Sequence, residues 1–368
     1  MSLSALDLLA HAGQQIRARR AAIAAMMVQG AGPDPASDGG ERLERLMDDA
    51  ESHATYLAQA LVVHRPALFM DYVAWARGIA AARGEPAEAV DEALRRLREA
   101  VARELGPEAA VAGAEYIDVA LGSERARALP SHLEDDGQPL VTVARAYLEA
   151  LLRGDRRAAL RLVHDAIAGG AHVRDIYLWV FQPVQREIGR LWQINALNVA
   201  QEHYCTAVTQ LAMSQLYEHV FAAERRGRVL VATCVRGELH EIGARMVADF
   251  FEMDGWDTHY LGANAPPEDV VRVVVERGAD VLGISATLAI HVQDVADLVA
   301  QIRRDPGCAH VKILVGGHPF RIAPDLWREI GADGCAPDAQ ASITVADRLV
   351  DEARERERAA GAAAGGRR

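Results

Sequence analysis

The chain has 368 residues, half of them apolar, and its 52 acidic residues outnumber 40 basic ones for a net charge of −12. That length suits two or three domains with sizeable cores, and an acidic chain without a Lys/Arg cluster excludes a nucleic-acid footprint. No apolar run reaches a membrane span, the start Met1-Ser2-Leu3-Ser4-Ala5 lacks a signal-peptide layout, and four cysteines without C-x-x-C spacing suggest neither a disulfide framework nor a zinc site, so a cytoplasmic protein is predicted.

Residues 1–28 read as one helix, and the Gly/Pro/Asp-rich stretch 30–40 as a loop. From Glu41 to about Gly122 the pattern is helical, broken at Arg65-Pro66, Gly84-Glu85-Pro86 and Gly106-Pro107, which predicts four packed helices. No strand alternation interrupts them, so residues 1–125 form an N-terminal helical domain and not a winged-helix DNA-binding head. This domain carries His53, Tyr56, His64, Phe69, Tyr72 and Trp75. They suit the core and rim of a small bundle, because Tyr and Trp commonly bury with one polar contact. They equally suit a pocket for a flat conjugated ligand. No cysteine precedes Cys205, so a thioether tether to this domain is excluded.

Residues 123–138 are charged and contain Pro130 and Gly137, the composition of a linker. A second helical unit spans 139–225, with helices over 141–152, 156–167, 173–192 and 199–221, a four-helix count with short loops. Trp192 ends the third helix, and Glu202-His203 lie near the start of the fourth. An antiparallel pair brings all three to one end of the bundle. An interhelical packing Trp and a solvated Glu-His pair would give the same string.

From 226 to 350 short β-branched runs alternate with amphipathic segments, a Rossmann-like (flavodoxin-like) parallel sheet. The runs are 229–235, 280–284 and 311–315. Each is followed by a loop at the carboxyl end of its strand, where open α/β sheets place ligands. The first loop contains Glu238, His240 and Gly243; the second, Ser285 and Thr287; the third, Gly316 and Gly317. Glu238 is placed to bond one ring nitrogen of His240 and fix its tautomer. His219, His259, His291, His310 and His318 have no paired ligand spacing and read as surface or packing residues. Residues 351–368, Glu/Arg-rich and then Ala/Gly-rich, are expected to form a disordered tail after a helix end.

The string E-x-H-x-x-G, then S-x-T, then G-G resembles the cobalamin-binding domain pattern, D-x-H-x-x-G, S-x-L and G-G. The resemblance implies that His240 is the lower axial ligand to cobalt, with the cofactor's own base displaced (base-off, His-on). It further implies that the loops of Ser285, Thr287, Gly316 and Gly317 line the pocket for the displaced tail. Glu238 stands where many members have Asp, and Thr287 where they have Leu.

A bundle with Trp-x9-Glu-His ahead of such a domain resembles the light-sensing adenosylcobalamin domains. By that resemblance Trp192 packs against the adenosyl group, Glu202 and His203 help hold it, and light breaks the cobalt–carbon bond. Some members carry a His directly after the Trp; here Gln193 stands there, which leaves the upper ligand after photolysis open. A helical N-terminal domain without a DNA-binding head further resembles the photocobilins. That layout implies a biliverdin-type bilin at His53, Tyr56, His64, Tyr72 and Trp75. The expectation is a non-enzymatic photoreceptor and homo-oligomer with light-dependent assembly, signalling to a separate effector protein. The alternative is a corrinoid carrier protein for cobalt-dependent methyl transfer, which has no need of Trp192, Glu202, His203 or the N-terminal domain.

Overall fold

A computed structural model describes residues 5–29, 39–86, 88–123, 130–133 and 137–365. Most of the expected 30–40 loop and of the 123–138 linker lies outside these. The chain divides into two compact units, one formed mainly by residues up to 128 and the other mainly by residues from 129 onward.

The first unit is helical. It contains α1 (Ala5–Ala18), α2 (Arg20–Val28), α3 (Gly39–Val62), α4 (Pro66–Ala82), α5 (Ala89–Glu104) and α6 (Pro107–Leu121). The expected single first helix is divided at Arg19, whose φ of −111° and ψ of 13° leave the helical region. The four helices after it match the sequence pattern. Proline opens α4 and α6, where its missing N–H costs nothing. Gly13 lets α1 approach α3 closely: a Cβ there would lie 2.5 Å from the Ala58 carbonyl oxygen. The buried Arg77 is neutralised by Asp91, Nη2 to Oδ1 2.7 Å, which ties α4 to α5.

The second unit begins with a bundle: α7 (Val141–Leu152), α8 (Arg156–Ala168), α9 (Val173–Ile176), α10 (Gln182–Gln193), α11 (Val199–Gln215) and α12 (Tyr217–Val220). The expected 173–192 helix is continuous in path, but Tyr177–Phe181 form a π-helical turn between α9 and α10. Part of the expected linker packs on this bundle. Leu133 is buried, its carbonyl accepts from Arg145, and the His132 N–H donates to Glu187 at 2.9 Å.

The sheet follows: β1 (Val229–Cys234), α13 (Ile242–Glu252), β2 (Asp257–Tyr260), α14 (Pro267–Arg277), β3 (Val281–Ser285), α15 (Val292–Arg304), β4 (Lys312–Gly316), α16 (His318–Ile322), α17 (Leu326–Glu329), β5 (Gly334–Cys335) and α18 (Ala339–Gly365). All pairings are parallel, in the order β2-β1-β3-β4-β5, so this is the predicted flavodoxin-like sheet. Bundle and sheet share one core, in which Tyr177 and Phe181 of the bundle continue into Phe250, Phe251 and Trp256.

The expected disordered tail is instead the second half of α18, which continues to Gly365. Its first half buries Ile343, Ala346, Leu349 and Val350. Beyond Val350, Asp351 pairs with Arg228, Arg354 with Asp280, and Glu352 with both Arg348 and Arg356 one turn to either side. Those pairs carry the helix past the end of its apolar face. Residues 366–368 lie outside the described chain.

Candidate functional site

The parallel register brings the three sheet loops together. Cys234 pairs with Ser285, and Ser285 with Gly316, so the carboxyl ends of β1, β3 and β4 lie side by side. The chain leaves β1 through a turn at Gly237, whose φ of +82° suits glycine. The Gly237 N–H donates to the Asn264 side chain at 2.9 Å, and the Asn264 N–H donates to the Glu238 carbonyl at 3.2 Å. Asn264, with φ +53°, clamps the loop from the turn after β2. Sequence reading passed it over; an Asn flanked by Gly262 and Pro266 is the signal that could have marked it.

The side chain of Glu238 is 0 % exposed. One oxygen accepts from the His240 ring Nδ1 at 2.6 Å and from the His240 N–H at 2.9 Å; the other accepts from the Thr287 N–H at 2.7 Å. Burial opposes ionisation, but these bonds outweigh it and hold the carboxyl at about 2. The Glu238 hydrogen bond in turn raises the His240 value, against partial burial, and the Glu202 charge adds to the rise. With Nδ1 committed to Glu238, Nε2 is the ring nitrogen left to coordinate a metal. The His240 side chain is 58 % exposed.

Room for a ligand exists where the loops meet. A Cβ added at Gly243 or Gly316 would meet no atom within 4 Å. Gly317 is different: with φ +113°, its Cβ would fall 1.8 Å from the Ala286 carbonyl oxygen. Gly317 therefore fixes how closely the β4 loop approaches the β3 loop. An exposed imidazole oriented by a buried carboxylate, with open space at Gly243 and Gly316, fits a large metal-centred ligand that takes one axial nitrogen.

The bundle contributes the three residues singled out above. Trp192, 43 % exposed, ends α10. Asn195, with φ +58°, reverses the chain, and Asn198 caps α11 in a reciprocal capping box with Gln201. This turn leaves Trp192 near the end of α10 and Glu202 and His203 in the first turns of α11. Glu202 Oε2 lies 2.5 Å from His203 Nδ1, and its Oε1 accepts from the Thr206 hydroxyl at 2.8 Å. The His203 side chain is 74 % exposed. A second tie was invisible in sequence: Gln210 Nε2 donates to Glu241 Oε1 at 2.8 Å, joining α11 to the residue after His240.

In the first unit five of the six expected ring residues gather, Phe69 among them with its ring 6.2 Å from that of Tyr72. Tyr56 stacks on Tyr72 with centroids 3.9 Å apart, Trp75 lies 5.8 Å from Tyr72, and His53 Nδ1 is 2.8 Å from the Tyr72 hydroxyl. These rings contact one another, as core residues do. His64 is engaged elsewhere: it sits at a left-handed turn, and its Nε2 is 2.8 Å from the Leu6 carbonyl oxygen. Among the described residues no group of three or more His, Cys, Asp or Glu is arranged to hold a metal, and no helix is long and apolar enough to cross a membrane.

Comparison with known proteins follows the same boundaries. Residues 228–344 and residues 143–217 each match a B12 binding domain model. A dimethylamine corrinoid protein of Methanosarcina acetivorans is 31 % identical over 129 residues, which is 35 % of this chain and 59 % of that protein. A corrinoid protein of Desulfitobacterium hafniense is 30 % identical over 128 residues, 34 % of this chain and 57 % of that protein. The chain thus spans less than two thirds of the length of these relatives. The monomethylamine corrinoid protein of Methanosarcina barkeri superposes with a TM-score of 0.50 at 20 % identity, covering 58 % of this chain and 99 % of that one, a likeness of fold. Together these matches support a cobalamin-binding protein.

Proposed function

Starting from a cobalamin-binding module over residues 143–344, we propose that the chain is a light-responsive cobalamin receptor, with the corrin ring held between the bundle and the sheet loops. His240, oriented by Glu238, would hold the cobalt through Nε2. Ser285, Thr287, Gly316 and Gly317 line the cleft for the displaced nucleotide tail, and Gly243 keeps the start of α13 clear of it. When bound, the cofactor would supply a light-sensitive cobalt–carbon bond to an adenosyl group on its upper face. Trp192 covers that face and excludes water, and Glu202 accepts hydrogen bonds from ribose hydroxyls. What supports the reading is the short turn between α10 and α11, with Trp192 near the end of one helix and Glu202 and His203 near the start of the next. On the same reading a biliverdin-type bilin at His53, Tyr56, His64, Tyr72 and Trp75 would have to part the ring contacts among them, light alters self-association, and a separate protein takes the output.

The second reading has more direct support from the relatives. One is named a dimethylamine corrinoid protein and the other a corrinoid protein, which favours a corrinoid carrier for methyl transfer. In that case cobalt carries methyl, and Trp192, Glu202 and His203 are ordinary helix-end residues.

One experiment separates the two. The protein is loaded in the dark with adenosylcobalamin or methylcobalamin and lit with green light, while absorption and size-exclusion elution are followed for wild type, His240→Ala and Trp192→Ala. A preference for adenosylcobalamin that Trp192→Ala abolishes, with elution that shifts on illumination, supports the receptor. Equal retention of both forms and unchanged elution supports the carrier. A red band on adding biliverdin tests the second pigment.

A further inference from the structure

Helix α11 presents a polar residue every fourth position, Glu202, Thr206, Gln210 and Ser214, which is one stripe of a helix. Helix α13 and the residue before it offer the matching pair Glu241 and Arg245, also four apart. The stripe is divided in use. Its lower half grips the sheet side: Gln210 donates to Glu241 at 2.8 Å, and Arg245 donates to the Ser214 hydroxyl at 2.8 Å and to the Tyr217 hydroxyl at 2.9 Å. Its upper half carries Glu202, whose charge reaches His240, and Thr206, which bonds Glu202. At 1.5 Å per residue, Gln210 lies about 12 Å along the axis from Glu202.

Glu241 is occupied on both oxygens. Oε1 takes the Gln210 amide, while Oε2 takes the Ala263 N–H at 3.1 Å and the Tyr260 hydroxyl at 3.3 Å. It therefore nails the peptide that follows His240 both to the end of β2 and to α11. Gly262 makes room for it, since a Cβ there would sit 3.3 Å from Oε2. Of the ties between α11 and the sheet side, Gln210–Glu241 is the one that ends on the residue next to His240, while Arg245 to Ser214 lies a turn further along.

The geometry points to Gln210–Glu241 as a positioning pair that sets the height of His240 beneath the corrin and couples it to whatever occupies the face guarded by Glu202. This rests on the cobalamin reading above, whichever upper ligand is used. The two residues would act on the cofactor through the His240 backbone and not by contact with it.

The test uses the full chain loaded with cobalamin in three forms: wild type, Gln210→Glu, and the exchange Gln210→Glu/Glu241→Gln. The single variant sets two carboxylates face to face. The exchange restores a bond of reversed polarity, with the new Gln amide donating to Glu and its oxygen still accepting from Ala263 and Tyr260. The readouts are the cobalamin off-rate and, after reduction to the Co(II) form, the nitrogen splitting of the axial histidine in the electron paramagnetic spectrum. Gln210→Glu is expected to release cobalamin about 10-fold faster or more and to lose the nitrogen splitting in part of the population, with recovery in the exchange. A residue that only stabilised the fold would lower the apo melting temperature and leave the splitting intact. If Gln210→Glu cannot be purified, Gln210→Ala makes the same comparison. Unchanged off-rate and splitting in the single variant, or no recovery in the exchange, overturns the pairing. Wild type that fails to bind cobalamin overturns the functional reading instead.

Discussion

Glu238 bridges two loops through one carboxylate: one oxygen lies 2.6 Å from His240 Nδ1, and the other accepts the Thr287 N–H at 2.7 Å. The loop that carries His240 and the loop that carries Thr287 are thus held by a single buried charge. Removing it frees the imidazole and strands two backbone donors, the His240 and Thr287 N–H groups.

Glu238→Ala is therefore expected to weaken cobalamin retention by about 10- to 100-fold, the usual effect of losing a ligand-orienting carboxylate. Equilibrium dialysis against cobalamin measures it. Glu238→Asp, the residue common in the pattern this loop resembles, is expected to retain most of the affinity. If Glu238→Ala binds like wild type, the carboxylate does not orient His240.

The two neighbouring glycines predict opposite behaviour. Gly317→Ala forces a Cβ against the Ala286 carbonyl at φ +113°, and roughly 3 kcal/mol of stability is expected to go. Gly316→Ala meets no protein atom, so the apo protein should melt as wild type does while binding cobalamin more weakly. Thermal melts of both apo variants, with cobalamin titrations, check the contrast. A Gly316→Ala protein with unchanged affinity would mean that the cofactor does not enter this cleft.

Asp249 predicts a stability that falls as pH rises. Burial pushes its carboxyl up to about 6, against the Tyr177 hydrogen bond at 2.7 Å and the nearby Arg245 charge, while Glu252 adds to the rise. Its unfolded value lies near 3.8, so the folded chain holds the proton more tightly between about 4 and 6. Stability is then highest below that window and declines through it, by up to about 3 kcal/mol at one pKa unit per 1.36 kcal/mol. Asp249→Asn keeps a partner for Tyr177 and should flatten this slope. Denaturant unfolding at pH 4.5 and 7.5 for both proteins measures it, and parallel slopes would exclude Asp249 as the source.

His53 predicts the opposite slope in the helical unit. Burial lowers its value from 6.5 to about 4, so the folded state resists protonation. The stability it contributes is complete above pH 6.5 and is lost as pH falls towards 4. His53→Phe should remove that acid sensitivity, at the expense of the hydrogen bond to Tyr72. Amide exchange of residues in α3 and α4, followed from pH 7 to 4.5, separates this unit's response from that of Asp249. An acid response that persists in His53→Phe would assign it to another group.

What the sequence determined alone was local and periodic. Apolar spacing located the helices from Glu41 to Leu121, β-branched runs located β1, β3 and β4, and a Glu two residues before a loop His foretold the Glu238–His240 bond. Each depends on residues close in sequence, where propensity and spacing act directly. Tertiary structure decided the rest. Register aligned Cys234, Ser285 and Gly316; Thr287 and Asn264 reached the ligand loop from separate strands; and Gln210 found Glu241 from another helix. It also drew Tyr56, Tyr72, Trp75 and His53 into mutual contact while engaging His64 with α1. Helix α18 outlasted its apolar face because ion pairs along it, and to Arg228 and Asp280, came from the folded sheet. Hydrogen bonds between distant segments leave no periodic trace in the chain, because either partner alone is an ordinary polar residue until folding sets the other beside it.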